Sequence, residues 1–117
     1  MQCIYYFIVA ELNNNVKYLL RGNLRLLVLN IISKNSIHGY ALFKELEKIY
    51  KWRPSCGTLY PVLSEFEENG IILGSETVEC GRCKKIYTIT EKGRTHLKDM
   101  IKDFQGSLQL LRLNERF

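Results

Sequence analysis

Residues 55–93 read SCGTLYPVLSEFEENGIILGSETVECGRCKKIYTITEKG, and a change of period inside this stretch decides the fold. Before Gly70, Leu59, Leu63 and Phe66 recur at the spacing of one helix face. After it the apolar residues alternate, Ile72 and Val78 on one run and Tyr87 and Ile89 on the next, with Cys80-Gly81-Arg82-Cys83 between them. A helix closed by the Asn69-Gly70 stop signal thus leads into a β-hairpin. The helix begins near Ser55 or Thr58, either of whose hydroxyls can cap free N–H groups. Pro61 is tolerable if Thr58 is the cap and kinks the helix if Ser55 is.

Outward toward the N-terminus, the Trp52-Arg53-Pro54 loop ends a preceding helix, because the residue before a proline is pushed away from helical dihedrals. That helix runs from about Gly39 to Tyr50, with Leu42, Leu46, Ile49 and Tyr50 on one face and Lys44, Glu45 and Lys48 on the other. Lys34-Asn35-Ser36 is a polar break before it. From about Asn23 to Ser33, Leu24, Leu27, Val28, Ile31 and Ile32 mark a helix buried on most sides, flanked by Leu26 and Leu29. Toward the C-terminus, Thr90-Glu91 starts a last helix in which Leu97, Ile101, Phe104, Leu108 and Leu111 step by four, three, four and three. That is a heptad seam suited to dimerisation, with Gly106 as a weak point. The fold expected is mainly α with a small β-hairpin: a winged helix-turn-helix with an additional C-terminal dimerisation helix. Its parts are an N-terminal arm or helix (1–15), the winged-helix domain (16–90) and the dimerisation helix (91–117).

At 117 residues the chain is a single domain with no room for a separate catalytic one, and 46% apolar residues suffice for a core. Seventeen basic against twelve acidic residues give a formal charge of +5, which favours a polyanionic partner without identifying it. Cys3, Cys56, Cys80 and Cys83 are too few and too scattered for a secreted disulfide framework, so a reducing, cytoplasmic setting is expected. Met1 to Leu12 is apolar but lacks a basic leader region and falls short of the roughly 20 residues a bilayer span needs. It is read as an arm packed on the domain or its partner, and Asn13, Asn14 and Asn15 separate it from the rest of the chain. Neither His38 nor His96 stands in a ligand spacing, and no phosphate loop, nucleophile elbow or paired-carboxylate motif is present. No enzymatic activity, cofactor or metal is therefore expected, and no membrane partner.

Four segments then fall in register: His38-Gly39-Tyr40 opening the second helix, Gly57-Thr58-Leu59-Tyr60-Pro61 opening the third, Glu67-Glu68-Asn69-Gly70-Ile71 at its exit, and Tyr87-Thr88-Ile89-Thr90-Glu91-Lys92-Gly93 leading into the last. Over roughly residues 20–97 the sequence resembles the PadR family of transcriptional regulators. The resemblance implies a repressor-type regulator of double-stranded DNA, a homodimer through its C-terminal helix with help from its N-terminal one. It also implies a third helix in the major groove and a wing on the backbone. Some members sense phenolic or aromatic compounds, so a small aromatic effector is among the implied partners. Trp52, Tyr5, Tyr6 and Phe7 could line a cavity for it near the dimer interface, although such residues more often fill cores.

The expected DNA-contacting set is Tyr40, Ser55, Thr58, Tyr60, Pro61, Ser64, Arg82, Lys84 and Lys85. Ser55, Thr58 and Tyr60 bring hydroxyls to a helix N-terminus, whose free N–H groups suit phosphate oxygens. Arg82, Lys84 and Lys85 make a short hairpin that can reach phosphates or the minor groove, and it is a better candidate than the second cluster, Lys44, Lys48, Lys51 and Arg53. The third helix departs from the family in carrying no Lys or Arg and in ending on Glu65, Glu67 and Glu68. Two alternatives stay open on that account: a winged-helix module for protein or RNA contacts, and a ligand-sensing dimer with weak DNA binding. Cys80 and Cys83 are spaced as a candidate redox pair.

Overall fold

The computed structural model describes Tyr18, Leu19 and residues 21–114, with side chains through 111. The expected N-terminal arm, its aromatic residues, Cys3 and the Asn run lie outside the described residues. Among the described residues the chain forms four helices and a three-stranded antiparallel sheet: α1 (Leu24–Lys34), β1 (Ile37–His38), α2 (Gly39–Tyr50), α3 (Cys56–Glu68), β2 (Ile72–Glu79), β3 (Arg82–Ile89) and α4 (Glu91–Asn114).

Helix α1 is the hub. It buries Leu24, Leu27, Val28, Leu29, Ile31 and Ile32, more than one face, because α2, β3 and α4 all pack around it. Leu42 and Leu46 of α2, Leu59, Leu63 and Phe66 of α3, Tyr87 and Ile89 of β3 and Leu97 of α4 complete one core. Lys51 closes α2 in the left-handed conformation at φ 57°, its N–H donating to the Glu47 carbonyl at 3.0 Å.

Ser55 is the N-cap residue of α3, so Pro61 lies inside the helix and removes the N–H that would bond the Gly57 carbonyl. The helix nevertheless continues to Glu68. It ends in a Schellman motif: the Ile71 N–H donates to the Phe66 carbonyl at 2.8 Å and the Gly70 N–H to the Glu67 carbonyl at 3.0 Å, with Gly70 at φ 70°.

The sheet order is β1-β3-β2. Strands β2 and β3 pair in one continuous register from Ile72 opposite Ile89 to Glu79 opposite Arg82. Cys80 (φ 52°) and Gly81 (φ 76°) form the two-residue turn, both left-handed as a type I′ turn requires. The turn is tighter than the four-residue separator expected, since Arg82 and Cys83 already belong to β3. Strand β1 is an addition to the expected fold: Ile37 pairs with Tyr87 and His38 with Ile86. Val78, expected to alternate with Ile72 toward the core, is 74% exposed, because the outer half of the hairpin projects past the helices.

The Thr90 hydroxyl lies 2.6 Å from the Gly70 carbonyl and 3.0 Å from that of Ile71, and it accepts the Gly93 N–H at 3.0 Å as a cap of α4. A Cβ at Gly93 would run into the Ile71 carbonyl oxygen and lie 2.7 Å from Ile89 Cγ1, so the glycine is there for close approach. From this anchorage α4 runs 24 residues, about 36 Å at 1.5 Å per residue.

Candidate nucleic-acid interface

At the start of α3 the Ser55 and Thr58 hydroxyls bond each other at 2.9 Å, and both residues are exposed. Neither side chain caps the backbone; the Ser55 carbonyl instead accepts the Thr58 and Leu59 N–H groups, each at 3.0 Å. The helix therefore presents two linked hydroxyls to solvent at its positive end.

Tyr60 projects from the same turn, 42% exposed, with its ring edge-on to Phe43 at 5.8 Å. Its hydroxyl lies 3.3 Å from where a Cβ of Gly39 would stand, so a glycine opening α2 lets the tyrosine lie across the helix junction. Tyr40 follows, 60% exposed, flanked by Lys44 Nζ at 4.9 Å and the Arg53 guanidinium at 5.8 Å from the ring centroid. Arg53 also lies over Phe43 and, at 3.8 Å, beside Glu47. Two of the four cations in the second cluster, Lys44 of α2 and Arg53 of the loop after it, thus flank a residue of the expected set. The i, i+4 spacing of Tyr40 and Lys44 was the available signal.

Beyond His38, strand β1 no longer covers β3, and the Arg82 to Lys85 edge opens onto a hollow of about 580 Å³. Its walls include Tyr40, Tyr60, Tyr87 and the hairpin residues Arg82 to Lys85. His38 also lines it, and its Nδ1 is buried without a hydrogen-bond partner. The openings of α2 and α3 and the hairpin therefore converge on one concave, aromatic and basic surface. Pro61 and Ser64 are exposed farther along α3.

The three hairpin cations are not equivalent. Lys84 Nζ lies 3.6 Å from Glu79, whereas Lys85 Nζ is bound to Glu67 of α3 at 2.7 Å and sits 5.7 Å from the Tyr87 ring centroid. The hydrogen bond to Glu67 holds the Lys85 ammonium above its ordinary pKa against a small desolvation, and burial raises the Tyr87 phenol above its own. Arg25 of α1 pairs with Glu65 and lies over Phe66. Two of the three α3 carboxylates are thereby matched by cations from neighbouring elements.

On α4, Leu97 belongs to the domain core, so the free part of the expected seam begins at Ile101. Ile101, Leu108 and Leu111 are exposed, the last at 64%, and Phe104 is half-buried; Leu110 adds a further exposed apolar residue outside the heptad. Cys80 occupies the turn and Cys83 faces Val78 across the ladder; both are free and exposed, as is Cys56 at the start of α3. Trp52 packs partly against the core, with the Arg21 guanidinium 5.8 Å from its ring centroid. No group of three or more potential metal-ligating side chains occurs among the described residues, and no helix among them is long and apolar enough to cross a membrane.

The family model described as the transcriptional regulator PadR-like family matches residues 28–99. Transcriptional regulator Rv3488 of Mycobacterium tuberculosis is 35% identical over 79 residues, which cover 68% of this chain and 73% of that protein. Transcriptional regulator YqjI of Escherichia coli is 38% identical over 80 residues; the match spans 67% of this chain but only 37% of that longer protein. Among solved structures, a PadR-like transcriptional regulator from Bacillus cereus superposes with a TM-score of 0.68 at 28% identity, covering 81% of this chain and 93% of that one. Bacillus subtilis PadR in complex with operator DNA superposes with a TM-score of 0.62 at 25% identity, covering 67% of this chain and 47% of that one.

Proposed function

The chain belongs to the PadR-like family of transcriptional regulators, and on that premise we propose that it binds a near-palindromic operator as a homodimer and represses by excluding other proteins from it. The observation that carries this reading is the concave surface on which Tyr40, Tyr60 and the Arg82 to Lys85 edge meet. Its shape admits a phosphodiester strand, its rings and cations suit one, and the exposed hydroxyls of Ser55 and Thr58 extend it along the N-terminus of α3. The likeness to a PadR solved on operator DNA supports the same placement.

In this reading α3 enters the major groove by its first turns. Tyr60, Pro61 and Ser64 face the bases, while Tyr40, Lys44 and Arg53 hold one flank of the backbone and Arg82 and Lys84 the other. The matching of Glu65 by Arg25 and of Glu67 by Lys85 leaves Glu68 as the α3 carboxylate set against DNA and so weakens the objection raised by an acidic third helix. Ile101, Phe104, Leu108 and Leu111 supply the partner face, which sets two α3 helices about 34 Å apart, one turn of duplex.

The test is fluorescence anisotropy with DNA from upstream of the protein's own gene and a shuffled duplex, at two salt concentrations. A preference of about 10³-fold for the native duplex is expected of specific binding. Equal, salt-sensitive binding to both would overturn operator recognition and leave a basic surface of another purpose.

A further inference from the structure

We propose that Glu67, Lys85 and Gly74 form a latch that fixes the hairpin against α3, so that Lys85 acts on DNA as a positioning residue and not by contacting a phosphate. The proposal rests on the reading that α3 and the hairpin together hold DNA.

The alternation that buries Ile89 and Tyr87 continues to Lys85, which therefore lies on the helix-facing side of the sheet. There its ammonium meets Glu67, in the last turn of α3, at 2.7 Å. The pair spans Gly74 on β2: a Cβ at that position would collide with Lys85 Cε and stand 2.9 Å from Glu67 Oε2. Gly74 is neither in a turn nor left-handed, so conformational freedom does not account for it. The room it leaves is occupied by the ion pair.

Glu76, opposite Lys85 in the ladder, and the Tyr87 phenol are the other ionisable groups facing the ammonium, and Glu76 adds attraction. The inner half of the hairpin is anchored by Ile72 and Ile89 in the core, while the outer half, where Val78 is exposed and Arg82 sits, has no core beneath it. A two-stranded ribbon is weakly held on its own. A tie at Lys85 stands where the supported half ends, and it determines where Arg82 and Lys84 reach the backbone.

The two roles of Lys85 differ in sign at Glu67. If Lys85 were a phosphate contact, Glu67→Gln would free it, remove a nearby acid and tighten binding. A latch predicts that Glu67→Gln and Lys85→Gln each weaken operator binding by a similar factor, about two- to fivefold for a partly exposed pair. The salt slope of Lys85→Gln stays at the parent value, where a lost phosphate contact would lower it by about 0.9. The exchanged pair Glu67→Lys with Lys85→Glu restores affinity to near the parent, and Gly74→Ala loses it with both charges intact. Hydrogen exchange of the free protein gives a readout that needs no DNA: amides of residues 76–85 exchange faster in the two Gln variants and in Gly74→Ala, and at the parent rate in the exchanged pair. Tighter binding by Glu67→Gln, or unchanged hairpin exchange in all the variants, overturns the latch. If the parent shows no operator preference, operator recognition fails and hairpin exchange alone decides whether the latch exists.

Discussion

Gly93→Ala should destabilise the domain although it replaces a helical glycine by the best helix former. An alanine in a helix interior normally gains up to about 1 kcal/mol over glycine. At position 93, however, the added methyl meets the Ile71 carbonyl head-on and lies 2.7 Å from Ile89 Cγ1 and 3.1 Å from the Ile71 carbonyl carbon. Carbon atoms pack best at about 3.5–4.0 Å, so the strand end or the helix must retreat by roughly 1 Å. The obstacle is backbone, and the Ile71 oxygen also accepts the Thr90 N–H at 3.1 Å and sits 3.0 Å from the Thr90 hydroxyl. Overpacking of this kind costs about 1–3 kcal/mol, and a strained hydrogen bond adds about 1 kcal/mol. After the propensity gain the net loss is about 2 kcal/mol, or roughly 8–10 °C in Tm for a domain of this size. Gly106→Ala is the internal control, since nothing lies within 4 Å of its Cβ position, and it should stabilise by up to about 1 kcal/mol. Thermal melts followed by circular dichroism compare the two directly. A Gly93→Ala protein as stable as the parent would refute the close-approach argument.

Leu108→Glu combined with Leu111→Glu should convert the proposed dimer to monomer in sedimentation velocity and abolish operator preference, while the domain's melting stays cooperative; a dimer that persists would assign the partner face elsewhere. Arg82→Ala should weaken binding to every duplex alike and reduce the salt slope by about one, measured by anisotropy across a salt series. Tyr60→Phe tests whether the exposed phenol reaches a base edge: loss of a neutral hydrogen bond is worth about 0.5–1.5 kcal/mol, and affinity unchanged from the parent would confine Tyr60 to packing on Phe43 and Gly39. Cys80→Asn should raise stability by a few tenths of a kcal/mol in denaturant melts, because Cys80 holds a left-handed φ of 52° that asparagine tolerates better.

The elements with a local signature were legible in the sequence. Helix α2 begins and ends where its periodicity does, the Asn69-Gly70 signal marks a Schellman motif, and Thr90-Glu91 starts the last helix. What escaped depends on residues far apart in the chain. Strand β1 is two residues long, too short for any alternation, and exists because β3 lies beside it. Val78 obeys the strand period yet lies beyond the helices, since period fixes a side of the sheet but not how far the core extends. Leu97 likewise fits the heptad row that Ile101 continues, and only the fold separates the part covered by this domain from the part left open. The pairs Arg25 with Glu65 and Lys85 with Glu67 join residues on different elements, so α3 reads in isolation as a helix hostile to DNA. The Tyr40, Lys44 and Arg53 cluster was half legible, because Tyr40 and Lys44 share a helix face while Arg53 returns from the loop.

Thr90 bonds to the carbonyls of Gly70 and Ile71, the two residues whose N–H groups close α3, and also caps α4, and Gly93 sits directly against Ile71. The end of α3 and the start of the 24-residue α4 thus meet at one tight joint. In the proposed dimer, a change in the way two copies pack along α4 is carried as a rotation to both α3 helices. Over an arm of about 36 Å, a tilt of only a few degrees at the joint displaces the far end by ångströms, and the same gearing runs in reverse. If the proposed dimer forms, the spacing between its two α3 helices is a mechanical setting of the pair, adjustable from a distance without altering a side chain proposed to face DNA.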